Sequence, residues 1–288
     1  MKKVKVEFFR ATFTHSAETF QGFLKTAATL PATKRLTRLN SEILLLITEI
    51  HHASADFWSG EIHRIRTRGF PDRIDLKTLR EEDLGLLTQQ GLVERIHFAY
   101  RSSLDALALQ VSRDFRPGTF RTYIEEVSSL PFELALILRK GAYAKLLGFR
   151  TISKMNVRVA NPPSGAEFTG LDAPGVGEIV DLMRDFGAAT VEIKVQRAKD
   201  RRASLIFKPI LDCVDNLLRV QTMDSVAALS VTGKREEDEN LEPVDFIRDR
   251  LVYSGGVEFD SKGRLDSSQC RKLVMDGLIE CDKMLQRG

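Results

Sequence analysis

Arg64, Arg66 and Arg68 recur at every second position of the stretch Asp56 to Pro71, DFWSGEIHRIRTRGFP. Side chains two apart on a strand share a face, so this spacing predicts three guanidiniums pointing the same way. A guanidinium is a planar, permanently charged fork of donors that grips phosphate or carboxylate with two bonds at once. The stretch also holds the only tryptophan, Trp58. An exposed indole beside arginines suits either a stacked base or a protein hot spot. Lys34, Arg35 and Arg38 upstream, and Arg73 downstream, add to the positive field. The plainer reading of the ladder is the solvent face of an edge strand, where charge blocks edge-to-edge association.

Other chemistries find less support. His51, His52 and His63 flank Trp58, and neutral imidazoles ligate metals. Adjacent residues on a strand face opposite ways, however, so His51 and His52 cannot share one ion. His63 with Asp56 or Glu61 forms a site only if folding joins them. No HExxH and no H-x-E…C-x-x-C pattern occurs, and no metal is expected. Glu192-Ile193-Lys194, with Asp181 or Asp185 upstream, resembles the carboxylate–lysine core of a metal-dependent nuclease. Charged residues opposite Val191, Ile193 and Val195 are also what any half-buried strand shows. Asp172 to Gly177, DAPGVG, precedes a helix but lacks the lysine of a phosphate loop and the spacing of a dinucleotide fingerprint. No Gly-x-Ser-x-Gly elbow is present, and no cofactor is expected.

The 288 residues, 43% of them hydrophobic, suffice for two domains. A net charge of +3 is too small for a protein that coats DNA, so any nucleic-acid affinity must come from a local patch. Cys213, Cys270 and Cys281 are unpaired in number and spacing, which predicts buried thiols rather than a disulfide framework. The start MKKVKVEFFRATF alternates charge with apolar residues and lacks the apolar core of a signal peptide. Ile43 to Ile47 is far short of a membrane span. A cytoplasmic location is expected.

Period-two alternation predicts strands at 1–13, 42–52, 132–138, 151–159, 190–195 and 226–231, and a hairpin over 91–113 turning at Arg101-Ser102-Ser103. Helical spacing predicts helices from Ser16 to about Ala28, over 119–128, over 178–186, from about Pro209 and over 268–285, with a helical turn at 143–147. Residues 75–90, 161–177 and 234–242 read as loops. The expected architecture is α+β, mixed sheets with helices packed on them. Its two αβ halves span 1–150 (with the basic strand) and 151–288.

KKVKVEFFRATF, FWSGEIHRIRTRGFP, the hairpin VERIHFAYRSSLDALALQ, and VAALSVTGKREED with the following PVDFIRDRL together resemble a bacterial family of unknown function. Its members are found on prophages and mobile islands near antiviral defence genes. The resemblance spans most of the chain, rests on packing patterns and implies no catalytic residue. It implies a role in phage defence or counter-defence, as a nucleic-acid-sensing component or a partner within a protein complex. Three readings stand side by side. One is a non-enzymatic binding protein that contacts DNA, RNA or a protein through Arg64, Arg66 and Arg68, with Trp58, Arg35 and Arg38 nearby. Another is a metal-dependent nuclease using Glu192 and Lys194. The third is a structural, homo-oligomeric subunit.

Overall fold

The computed structural model describes residues 1–70, 73–74, 81–82, 84–86, 90–160, 185–197, 204–218, 226–236 and 240–286. The expected helix 178–186 up to residue 184, the loop 161–177 and most of 75–90 lie outside the described residues. The chain is α+β, with an eight-stranded and a four-stranded sheet among the described residues, and it divides into two compact units. The first unit comprises Met1–Glu7, Ala11–Phe132 and Tyr253–Ile279; the second takes Phe8–Arg10, Glu133–Val252 and Glu280–Gly288. Both units are discontinuous, and the expected boundary near residue 150 falls inside the second.

The large sheet is built from β1 (Lys2–Phe13), β2 (Leu36–Arg38), β3 (Ile43–Ser54), β4 (Phe57–Arg66), β7 (Leu92–Arg101), β8 (Ala106–Val111), β9 (Phe132–Leu136) and β14 (Val252–Val257). A separate two-residue pair, β5 (Arg73–Ile74) with β6 (Glu81–Glu82), stands apart from it. The strand order is β14-β1-β8-β7-β4-β3-β2, and β9 also pairs with β1. Hairpin β7–β8 turns through a single 3-10 turn at Ser102–Leu104, as the sequence predicts. Asp56 accepts bonds there from Arg101 Nε (2.9 Å) and Ser103 Oγ (2.8 Å).

Register separates the two faces of this sheet. Trp58, Gly60, Ile62, Arg64 and Arg66 of β4 lie opposite Tyr100, Phe98, Ile96, Glu94 and Leu92 of β7, and directly paired residues share a face. This first face is aromatic. Helices α1 (Phe20–Thr29) and α3 (Pro117–Ser128) cover it, with Phe20 edge-on to Tyr100 at 4.9 Å and Phe98 edge-on to Phe120 at 5.7 Å. Helix α1 starts at Thr19, whose hydroxyl accepts from the Gly22 N–H, rather than at Ser16. Gly60 is required by close approach, since a Cβ there would stand 2.4 Å from Phe98 Cζ and 2.7 Å from the Glu49 carbonyl. The second face carries Ser59, Glu61, His63 and Ile65 against Ala99, His97, Arg95 and Val93.

In the second unit, β10 (Thr151–Ala160) is central to a sheet ordered β11-β10-β12-β13, where β11 is Thr190–Gln196, β12 Val226–Lys234 and β13 Glu242–Asp245. Every pairing in it is antiparallel. Among the described residues, helices α4 (Lys140–Leu147) and α5 (Phe207–Leu217) lie within this unit; α2 (Ala32–Arg35) is a single turn in the first. Helix α5 buries Ile210, Cys213, Val214 and Leu217, and Tyr143 of α4 donates to Asp215 at 2.9 Å. The last helix, α6 (Ser267–Gln286), buries Cys270, Val274, Leu278 and Cys281. All three thiols are buried, and burial pushes Cys213 and Cys270 up to about 11 and Cys281 to about 12.

Candidate functional site

The arginine ladder folds differently from its expectation. Strand β4 is not an edge strand: it lies between β3 and β7. It also ends at Arg66, so Arg68 stands beyond it, exposed. Arg64 and Arg66 do share a face, but it is the covered one, with Arg64 opposite Leu45 and 3.6 Å from Glu94. Arg38 is opposite Leu44, which pairs with Ile65, so it belongs to the other face. Arg35, in α2, reaches back to β3, donating from Nη1 to the Thr48 carbonyl at 3.4 Å. Trp58 is not an exposed anchor. It is 5% exposed on the aromatic face, stacked on His52 at 4.3 Å. Its apolar bulk belongs to the core because β4 runs through the middle of the sheet.

The second face of the sheet holds the polar chemistry. Glu61 is buried and accepts at one oxygen from His63 Nε2 (2.6 Å) and at the other from Ser267 Oγ (2.7 Å). His97 Nε2 lies 3.1 Å from that second oxygen, and Arg95 Nε 3.4 Å from the first. Burial pushes the Glu61 carboxyl up, but the bonds from His63, His97 and Ser267 outweigh it and hold the group far below the usual carboxylate range. Neighbouring Glu49 pairs with Arg271 of α6 and lies 3.1 Å from His51. Its carboxyl is lowered, first by that His51 bond.

The hydrogen bonds fix the protons of this cluster. Gln110 Oε1 accepts the His97 backbone N–H (3.2 Å), so it is also the acceptor for ring Nδ1 (3.0 Å), which therefore carries a proton. Ser267 Oγ is 2.7 Å from both His97 Nε2 and Glu61, and its single proton serves only one of them. That proton goes to the Glu61 carboxylate. A serine 2.7 Å from a histidine has the spacing of a nucleophile and its base. Here the hydroxyl is turned to Glu61, to which it donates. The arrangement is a clamp that fastens the first turn of α6 to the sheet.

Beyond the clamp, the same face opens out. Cross-strand register sets Arg38, Leu44, Ile65 and Val93 in one row and Leu36, Leu46, His63 and Arg95 in the next. None of these eight is buried; Leu36 is 42% and Val93 47% exposed. Arg38, Arg66 and Arg68 form no ion pair with another described residue.

In the second unit, Glu192 and Lys194 share a face, as expected, opposite Arg158 and Asn156 of β10. Both are exposed, Asp185 is exposed, and Asp181 lies outside the described residues. Val191 and Ile193 are only half-buried and Val195 is 37% exposed, where the alternation predicts burial: among the described residues β11 has a strand on one side only. Among the described residues no group of three or more His, Cys, Asp or Glu could hold a metal ion. Among them, too, no helix is long and apolar enough to cross a membrane.

Sequence reasoning joined Glu61 to His63 only as a product of folding, and it missed His97, Gln110 and Ser267. Alternation puts Glu61 and His97 on the face opposite Trp58, Ile62, Ile96 and Phe98, where it predicts solvent, whereas here both faces of β4 and β7 are buried. No protein-family model matches the chain, and no curated protein matches it.

Proposed function

We propose that this is a non-enzymatic binding protein that docks an acidic protein segment bearing apolar side chains on the open end of its large sheet. The observation that carries the proposal is the pair of cross-strand rows on the second face. There Leu36, Leu44, Leu46, Ile65 and Val93 lie half-exposed or exposed, and Arg38, His63 and Arg95 are set among them. Exposed aliphatic surface bounded by guanidinium groups suits a partner with both apolar and carboxylate side chains. Glu61 already engages His63 and Arg95, so Arg38 is the cation of these rows that forms no ion pair among the described residues. Following the family resemblance, we read the setting as phage–host conflict in the cytoplasm.

A second reading, nucleic acid, is favoured by one observation: Arg38, Arg66 and Arg68 lack ion pairs among the described residues and are available to phosphates. The surface offers aliphatic side chains rather than the aromatic platform that stacks bases, and Trp58 is buried, so this reading is second. Anisotropy titrations separate the two. The probes are a labelled peptide alternating Glu and Leu, and labelled single- and double-stranded DNA. Docking of an acidic segment predicts peptide binding that drops at least about tenfold in Val93→Asp and in Arg38→Glu. DNA binding that falls steeply with salt and with Arg66→Ala/Arg68→Ala, without peptide binding, would replace the first reading with the second.

A further inference from the structure

Strand β11, TVEIKVQ, is nearly a palindrome of chemistry about Ile193. Among the described residues it pairs on one side only, with β10, which leaves the backbone of its other side open. An exposed strand edge is a template for another strand. We propose that this edge takes the β11 of a second copy of the chain, antiparallel, about a two-fold axis through Ile193.

The residues select both the partner and the register. In an antiparallel pair centred on Ile193, Glu192 lies opposite the second copy's Lys194, and Lys194 opposite its Glu192. Val191 meets Val195, Thr190 meets Gln196, and Ile193 meets itself. Opposite charges stabilise directly facing positions of a strand pair, and like charges destabilise them. Moving the two-fold axis by one residue, a slide of two, would set Glu192 against Glu192 or Lys194 against Lys194. Pairing about a point between residues would set the apolar face of one copy beside the charged face of the other. Only the Ile193-centred register matches both faces.

The match continues into the neighbouring strands. Arg158 already stands opposite Glu192, and Asn156 opposite Lys194. The charged face of the assembled sheet would therefore read Arg158, Glu192, Lys194, Asn156 across the two copies, plus, minus and plus followed by a neutral amide. On the apolar face, Val159 and Val191 would continue into Val195 and Met155 of the second copy. This pairing covers Val195, and it lies close in sequence to Phe186, which is 76% exposed. Two four-stranded sheets become one of eight, and an isologous contact of this kind closes as a dimer rather than growing into a fibre.

Sedimentation velocity on the full chain, from about 1 to about 100 µM, tests the inference through charge reversal. Each substitution acts twice at a two-fold contact. Glu192→Lys and Lys194→Glu each turn two attractive pairs into two repulsive ones, and each should raise the dimer dissociation constant at least about tenfold. The double variant E192K/K194E restores opposite charges and should recover the wild-type constant. A wild-type protein that stays monomeric throughout this range overturns the proposal. So does a dimer that both single reversals leave unchanged, or one that the double variant fails to rescue. Circular dichroism of each variant, expected to match the wild type, distinguishes a lost contact from a lost fold.

Discussion

Strands β4 and β11 both carry alternating charge, and they dispose of it in opposite ways. Strand β4 runs between two neighbours, with α1 and α3 over one face and the first turn of α6 against part of the other, and its inner charged groups are answered within the molecule: Glu61 by two histidines and a serine, Arg64 by Glu94. Among the described residues strand β11 has a strand on one side only, and Glu192 and Lys194 stand exposed. The sequence pattern looks alike in both. What separates them is the number of neighbouring strands, which decides whether a charge is part of the fold or open to a partner.

Breaking the internal arrangement should cost most. Glu61→Gln leaves His63, His97 and Arg95 around a neutral amide and should lower stability by about 3 kcal/mol near neutral pH, read from urea midpoints. Folding depresses the Glu61 pKa. The contribution of the carboxylate is therefore complete above its unfolded value of about 4.3 and is lost as pH falls below that towards the folded value. The gap between wild type and E61Q should accordingly narrow in acid; a constant gap would mean that packing rather than charge is at stake.

A neutral group buried beside β3 offers a middle case. The Tyr123 hydroxyl accepts from the Ile47 N–H at 2.8 Å and donates to the Arg35 carbonyl at 2.7 Å. Burial is the main reason its phenol is pushed above the ordinary range. Tyr123→Phe should cost about 1–2 kcal/mol, because it strands a backbone donor next to the core. At the other extreme, Glu192→Gln should change the unfolding free energy of the monomer by less than about 0.5 kcal/mol. A large loss there would show that the β11 charges serve the fold after all and would erase the contrast with β4.

Much of the fold was legible because most elements obey a single periodicity. Strands β1, β3, β10 and β12, the β7–β8 hairpin and helices α3, α5 and α6 lie within a few residues of where alternation or helical spacing sets them. Strand β14 was missed for a packing reason. Its Gly255 and Gly256 interrupt the apolar alternation, yet a Cβ at Gly255 would come 2.4 Å from Leu273 and one at Gly256 2.5 Å from Met1, so close approach selects them. Strand position within a sheet was not legible at all. A row of arginines at every second residue looks the same on an edge strand and on a central one, and that difference turned the ladder from an expected binding face into a largely covered one. The clamp was illegible for a related reason: Glu61 and Ser267 are 206 residues apart, and no local pattern joins them.

The buried tryptophan has a practical consequence. Trp58 belongs to the first unit and is the only indole in the chain, so the second unit is silent in tryptophan emission. Its burial should give a blue emission maximum, and the imidazole of His52 stacked at 4.3 Å is a contact quencher. A single fluorescence trace therefore follows the melting of one unit by itself, while circular dichroism follows both. The separation between the two curves would measure how far the chain unfolds as one cooperative body.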